Sequence, residues 1–89
     1  MFYTYILGSL KDKELYIGST NDLKRRIQEH NSGEVFSTKT RKPFKLLYYE
    51  AYSLEKEARL REISLKSRGQ ARIQVLKRIK LTIDLLQKE

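Results

Sequence analysis

The stretch Leu15-Tyr16-Ile17-Gly18-Ser19-Thr20-Asn21-Asp22-Leu23 decides the fold, because a short β-type run here meets a glycine, a polar turn and a helix start in quick succession. Tyr16 lies just before Gly18 at the end of the strand-like part, so its phenol is expected at an open sheet edge that a ligand can approach. Thr20 or Asn21 is expected to be the N-cap that accepts a backbone N–H of the first turn. Asp22 then falls inside that turn, where the helix dipole favours an anion.

In the helix that follows, expected over residues 21–31, Leu23 and Ile27 are four apart and define the buried stripe. At about 100° per residue, Arg26 and His30 fall within roughly 60° of Leu23, whereas Lys24, Arg25, Gln28 and Glu29 point away. Arg26 is therefore the inward arginine and Arg25 the solvated one. Each inward group taken alone reads as a snorkelling arginine or a satisfied core histidine. Together at one edge they mark a candidate site.

Eighty-nine residues make one domain with a modest core, here taken as residues 1–89. Without cysteine, neither a disulfide framework nor a cysteine-based zinc site is available. The opening Met1-Phe2-Tyr3 runs straight into a strand-like segment, with no basic region, apolar signal core or long apolar span, so a cytoplasmic location without a membrane is expected. The formal charge of +8 is unevenly spread. Residues 1–35 carry five basic and five acidic side chains, whereas residues 36–89 carry fourteen and six. Such an asymmetric basic surface suits a polyanion, nucleic acid first and anionic lipid second.

Phe2 to Leu7 reads as the first strand, Glu14 to Ser19 as the second, and Lys11-Asp12-Lys13 as the turn of their hairpin. Gly33 is the expected left-handed C-cap of the first helix. Residues 34–45 form a loop in which hydroxyls and cations interleave: Ser37, Thr38, Lys39, Thr40, Arg41 and Lys42, then Pro43. Side chains of these types commonly contact nucleic-acid backbones. Phe44 to Tyr52 reads as a third strand covered on both faces, in which Glu50 needs a partner. Ser53 is the expected N-cap of a second helix running to about Lys66, with Leu54, Ala58 and Leu65 on one stripe and Glu62 at its edge. Leu60 and Ile63 lie on another side, for which a third helix over 71–87, carrying Leu76, Ile79, Ile83 and Leu86, is the natural partner. Lys66, Arg68 and Arg72 open an acid-free run that extends to Lys80 and adds to the expected nucleic-acid surface.

Four separated elements, Tyr3-Thr4-Tyr5, Tyr16-Ile17-Gly18, Asn21 to Ile27 and Glu29-His30-Asn31, resemble the signature of the GIY-YIG endonuclease superfamily. The chain is similar to the small stand-alone members related to the nuclease domain of the bacterial excision-repair endonuclease. The resemblance covers residues 2 to about 66. It implies an α/β fold with a small, mainly antiparallel three-stranded sheet flanked by helices in the order β-β-α-β-α-α. It also implies catalytic roles for Tyr5, Tyr16, Arg26 and His30, and a metal-binding role for Glu62 within Glu57-Ala58-Arg59-Leu60-Arg61-Glu62. Two departures are visible: the first motif reads Tyr-Thr-Tyr, and the asparagine that some members carry after the second helix has no obvious counterpart.

Those residue types suit phosphodiester hydrolysis, which needs a deprotonated water, neutralisation of the charge growing on phosphorus oxygens and help for the departing oxygen. Tyr16 is the expected base; since phenols ionise near pH 10 in water, it needs neighbouring cations or a proton acceptor. His30, Arg26 and the Tyr5 hydroxyl are the groups placed to serve. A metal on one carboxylate keeps several waters, which suits Mg²⁺, with Mn²⁺ as its substitute. The function expected is a metal-dependent DNA endonuclease of low intrinsic sequence specificity, in repair or recombination. Its expected partner is DNA, branched or damaged DNA included, with DNA shape, a homodimer or another protein supplying specificity. The rival is a non-catalytic nucleic-acid-binding module in which Tyr3, Tyr48, Tyr49 or Tyr52 stacks on bases.

Overall fold

Alternation along three strands builds the core. A computed structural model describes residues 1–89 and shows β1 (Phe2–Ser9), β2 (Leu15–Thr20) and β3 (Phe44–Tyr52) as one antiparallel sheet. Their spatial order is β2-β1-β3, so β2 and β3 are both edges. Successive side chains point to opposite faces. Tyr5, Leu7, Tyr16 and Phe44 accordingly share one face, while Ile6 and Ile17 share the other. The central strand is buried from Thr4 through Ser9, as expected of a strand covered on both sides.

The first face is covered by α1 (Leu23–Ser32), through Leu23 and Ile27, and by the 34–43 loop. The second is covered by α2 (Glu55–Lys66), α3 (Gln70–Arg78) and α4 (Lys80–Lys88), through Leu65, Val75, Ile79 and Leu86 among others. α1 ends at Gly33, whose φ of 83° lies in the left-handed region that glycine adopts freely. Ser9 extends the first strand past Gly8 and organises the hairpin: its hydroxyl accepts from the N–H groups of Lys11 and Asp12 and donates to the Arg41 carbonyl. No helix is long and apolar enough to cross a membrane.

Several local expectations are corrected. Asp22, rather than Thr20 or Asn21, caps α1, its side chain accepting from the Arg25 N–H, so the helix starts at Leu23. Leu54 rather than Ser53 precedes α2, with no side-chain cap. The single helix expected over 71–87 is two, divided at Ile79 (φ −108°, ψ 24°). Leu54, Leu60 and Ile63 are exposed, so α2 has one buried stripe, centred on Ala58 and Leu65, and α3 packs on the sheet side of it.

Candidate active site

Strand alternation places Tyr5 and Tyr16 on the α1 face, and helical spacing aims His30 at them from α1. Their rings pack edge to face: the Tyr16 centroid is 4.9 Å from that of His30 and 6.4 Å from that of Tyr5. Gly18 makes the approach possible, because a Cβ there would stand 2.5 Å from the Tyr5 hydroxyl oxygen.

A buried relay holds Tyr5. Its hydroxyl lies 2.9 Å from His30 Nε2, and His30 Nδ1 lies 2.8 Å from Thr38 Oγ1. Thr38 in turn faces the Val35 carbonyl, which can only accept. Proton directions follow from that end: Thr38 donates to Val35, His30 Nδ1–H donates to Thr38, and Tyr5 O–H donates to a neutral Nε2. Arg26 completes the chain by hydrogen bonding to the Tyr5 oxygen. Burial pushes the Tyr5 pKa up to about 12, partly opposed by Arg26, with the charges of Tyr16 and Glu62 adding to the rise. Tyr5 is therefore a fixed donor that senses Arg26, Tyr16 and Glu62 at once.

The Tyr16 hydroxyl is the contrast. It has no hydrogen-bond partner in the protein, yet no buried side-chain oxygen lacks a partner. The Tyr16 oxygen thus reaches solvent, one phenol free beside one committed.

His30 is fully buried with both nitrogens engaged. It braces Tyr5 and is closed to substrate, which corrects the expectation that it could take a proton from Tyr16. Burial, reinforced by the charge of Arg26, pushes its pKa down to about 4. In the unfolded chain the imidazole gains its proton near pH 6.5, so between there and pH 4 the unfolded state binds more protons and stability falls with falling pH. The expected loss on acidification to pH 4 is about 3 kcal/mol. Asp12, Glu50 and Glu62, whose pKa values are lowered, lose their contribution in a lower window. Denaturant unfolding across this range checks the assignment: His30→Gln should flatten the upper part of the curve, and an unchanged curve would move the acid sensitivity to other groups.

Glu62 approaches from the opposite face, past the β2 edge. Ser19 alternates with Ile17 onto the α2 side and donates to Glu62 Oε1 at 2.6 Å, while Lys66 Nζ stands 2.6 Å from Oε2. Burial alone would raise the Glu62 pKa, but Lys66 and Ser19 outweigh it and hold the carboxyl below its ordinary value. Two further anchors fix α2: Thr4 Oγ1 donates to the Ala58 carbonyl at 2.7 Å, and Arg61 grips Glu50 through two hydrogen bonds of 2.8 and 3.0 Å. Glu50 also accepts from the hydroxyls of Tyr48 and Tyr52, so the partner that the sequence demanded for it is a threefold one.

This donor set fits a hard divalent cation held mostly by water. Glu62 is an ionised carboxylate with a hydroxyl beside it, and Lys66 already places a positive charge against Oε2. No group of three or more His, Cys, Asp or Glu side chains comes together elsewhere to hold a metal.

The expected nucleic-acid residues divide. Ser37, Lys39, Lys42, Lys66 and Arg68 are exposed. Thr38 is fully buried in the His30 relay and cannot reach a phosphate. Arg41 is bound to Asp12 at 2.6 Å and lies over the Phe44 ring, and the hydrogen bond from Arg41 lowers the Asp12 pKa to about 2. Arg72 is half-buried and donates to the Leu65 carbonyl near the end of α2. Thr38 and Arg41 are thus structural, and Arg72 is partly committed.

Two residues escaped the sequence reading. Asn31 binds the backbone of Phe44 in both directions, its Oδ1 accepting at 2.6 Å and its Nδ2 donating at 3.1 Å, and so ties α1 to β3. Ser19 orients Glu62; the period-two pattern that placed Tyr16 on one face was the signal for Ser19 on the other. Glu29, expected to point away, instead pairs with both Arg25 and Arg26.

The family model described as the GIY-YIG catalytic domain matches residues 1–75. A UPF0213 protein of Clostridium perfringens is 45% identical over 67 residues, 74% of this chain and 71% of that protein. One of Streptococcus agalactiae is 40% identical over 80 residues, 88% of this chain and 90% of that protein. The solution structure of a UPF0213 protein from Bacillus halodurans matches with a TM-score of 0.52 and 35% identity, covering 90% of this chain and 86% of that one.

Proposed function

Because the chain belongs to the GIY-YIG catalytic-domain family, which has a nuclease fold, we propose that it is a divalent-metal-dependent DNA endonuclease of low intrinsic sequence specificity. The observation that carries this reading is the pair of phenols with opposite fates: Tyr5 locked into the His30 relay and Tyr16 left free beside it. Tyr16 takes a proton from the attacking water as the water oxygen bonds to phosphorus and the ester P–O bond breaks, the electron pair leaving on the departing oxygen. Arg26 faces the oxygens on which negative charge grows, and Tyr5 fixes Arg26 by accepting its hydrogen bond. Glu62, oriented by Ser19, would hold Mg²⁺ or Mn²⁺. The ion would supply charge neutralisation at the phosphate and the departing oxygen.

A second reading, binding without cleavage, draws on Tyr49, which is half-exposed and packs edge to face with Tyr3 at 5.9 Å. Tyr48 and Tyr52 are unsuited to that role because their hydroxyls are tied to Glu50. A nicking assay separates the two. Single-stranded, duplex and branched DNA, with RNA alongside, are incubated with and without Mg²⁺ or Mn²⁺. Metal-dependent scission of DNA is expected; retention of every substrate intact despite binding would favour the module.

A further inference from the structure

Beside this site, where the end of β2 meets α1 and α2, lies a cleft of about 250 Å³. Resting on the reading of the chain as a DNA nuclease, we propose that this cleft seats a second backbone phosphate of the bound DNA strand, next to the one under attack, with Arg25 and Arg59 as its cationic contacts. The cleft is lined by Ser19, Arg25, Arg26, Arg59 and Glu55, three cations against one acid. It shares two residues with the chemistry: Ser19 also binds Glu62, and Arg26 also binds Tyr5. Arg59 precedes Glu62 by three residues on α2, roughly one helical turn of 5.4 Å. A strand whose reacting phosphate lies at Glu62 therefore brings a neighbouring phosphate to the cleft.

The arginines are free to serve. Arg25 pairs with Glu29 at 3.4 Å and Arg59 with Glu55 at 3.6 Å, with side chains 53% and 68% exposed. Exposed pairs of this kind are weak and exchange readily for a phosphate. Arg41 and Arg61, by contrast, are held by short contacts to Asp12 and Glu50 and stay committed to the fold. The basic character of residues 66–80 drew attention to the far end of α2, whereas these cations line the cleft at its start.

The test reads binding in EDTA, where no cleavage occurs. A fluorescent single-stranded oligonucleotide is titrated by anisotropy across a salt series with the wild-type chain, Arg59→Gln, Arg59→Lys and Lys80→Gln, the last an equal charge loss on α4. Arg59→Gln should weaken binding several-fold and reduce the slope of log Kd against log salt by about 0.7, one phosphate contact on a single strand. Arg59→Lys should keep the wild-type slope, and Lys80→Gln should leave it unchanged. A wild-type slope in Arg59→Gln, or an equal reduction in Lys80→Gln, overturns the proposal. A chain that binds through Arg59 yet cuts no DNA with Mg²⁺ or Mn²⁺ overturns the nuclease reading and leaves the cleft assigned; cleavage together with an unaltered Arg59→Gln slope removes only the cleft.

Discussion

Replacing Tyr16 with Phe is expected to lower the DNA cleavage rate about 10²–10⁴-fold, the range of a lost general base, with folding and DNA binding retained. The ring keeps its edge-to-face contacts with His30 at 4.9 Å and Phe44 at 6.5 Å, and the deleted hydroxyl has no protein partner to orphan. Tyr5→Phe makes the informative comparison. It removes the hydroxyl that joins Arg26 to His30 and leaves a buried Nε2 acceptor without a donor, which costs about 1–3 kcal/mol. One tyrosine should therefore register mainly in rate and the other mainly in stability. Single-turnover cleavage and denaturant unfolding on both variants check this, and a wild-type rate in Tyr16→Phe would remove it as the base.

Much of this arrangement was legible in short-range pattern. The i, i+4 pairs Leu23–Ile27 and Arg26–His30 fixed the inward face of α1, and alternation around Tyr16 fixed the faces of β2. Partnerships across long separations were not legible. The 34–43 loop reads as a phosphate binder because it is rich in hydroxyls and cations, yet Thr38 is committed to His30 eight residues away and Arg41 to Asp12 twenty-nine away. Nothing local announces either pairing. The break at Ile79 was hidden for a related reason: it contains neither Gly nor Pro, and the apolar spacing of Val75, Ile79 and Leu86 continues across it because α3 and α4 bury the same sheet face. The N-cap was misplaced by one or two residues, where Thr20, Asn21 and Asp22 are all competent acceptors and only the backbone geometry chooses among them.

Glu62→Gln is expected to abolish cleavage at ordinary Mg²⁺ concentrations while the fold survives, because the change keeps the shape of the side chain and removes the charge that a hard cation needs. Ser19 can still donate to the amide oxygen, so the position stays filled and only the interaction with Lys66 loses its ionic part. DNA binding should hold or strengthen, since a negative charge leaves the neighbourhood of a phosphate. Glu50→Gln is the control with the same chemistry on the other side of α2. Glu50 is engaged by Arg61, Tyr48 and Tyr52, and its burial would raise its pKa but for those partners, which hold it low. Its neutralisation leaves Arg61 half-buried without a counter-charge, a cost of about 1–3 kcal/mol that lowers Tm by several degrees in a domain of this size. Thr4 and Ser19 still anchor α2, so the metal response should persist. Titrating Mn²⁺ by calorimetry, with cleavage measured in parallel, decides between the carboxylates: wild-type metal binding in Glu62→Gln together with its loss in Glu50→Gln would reverse the assignment.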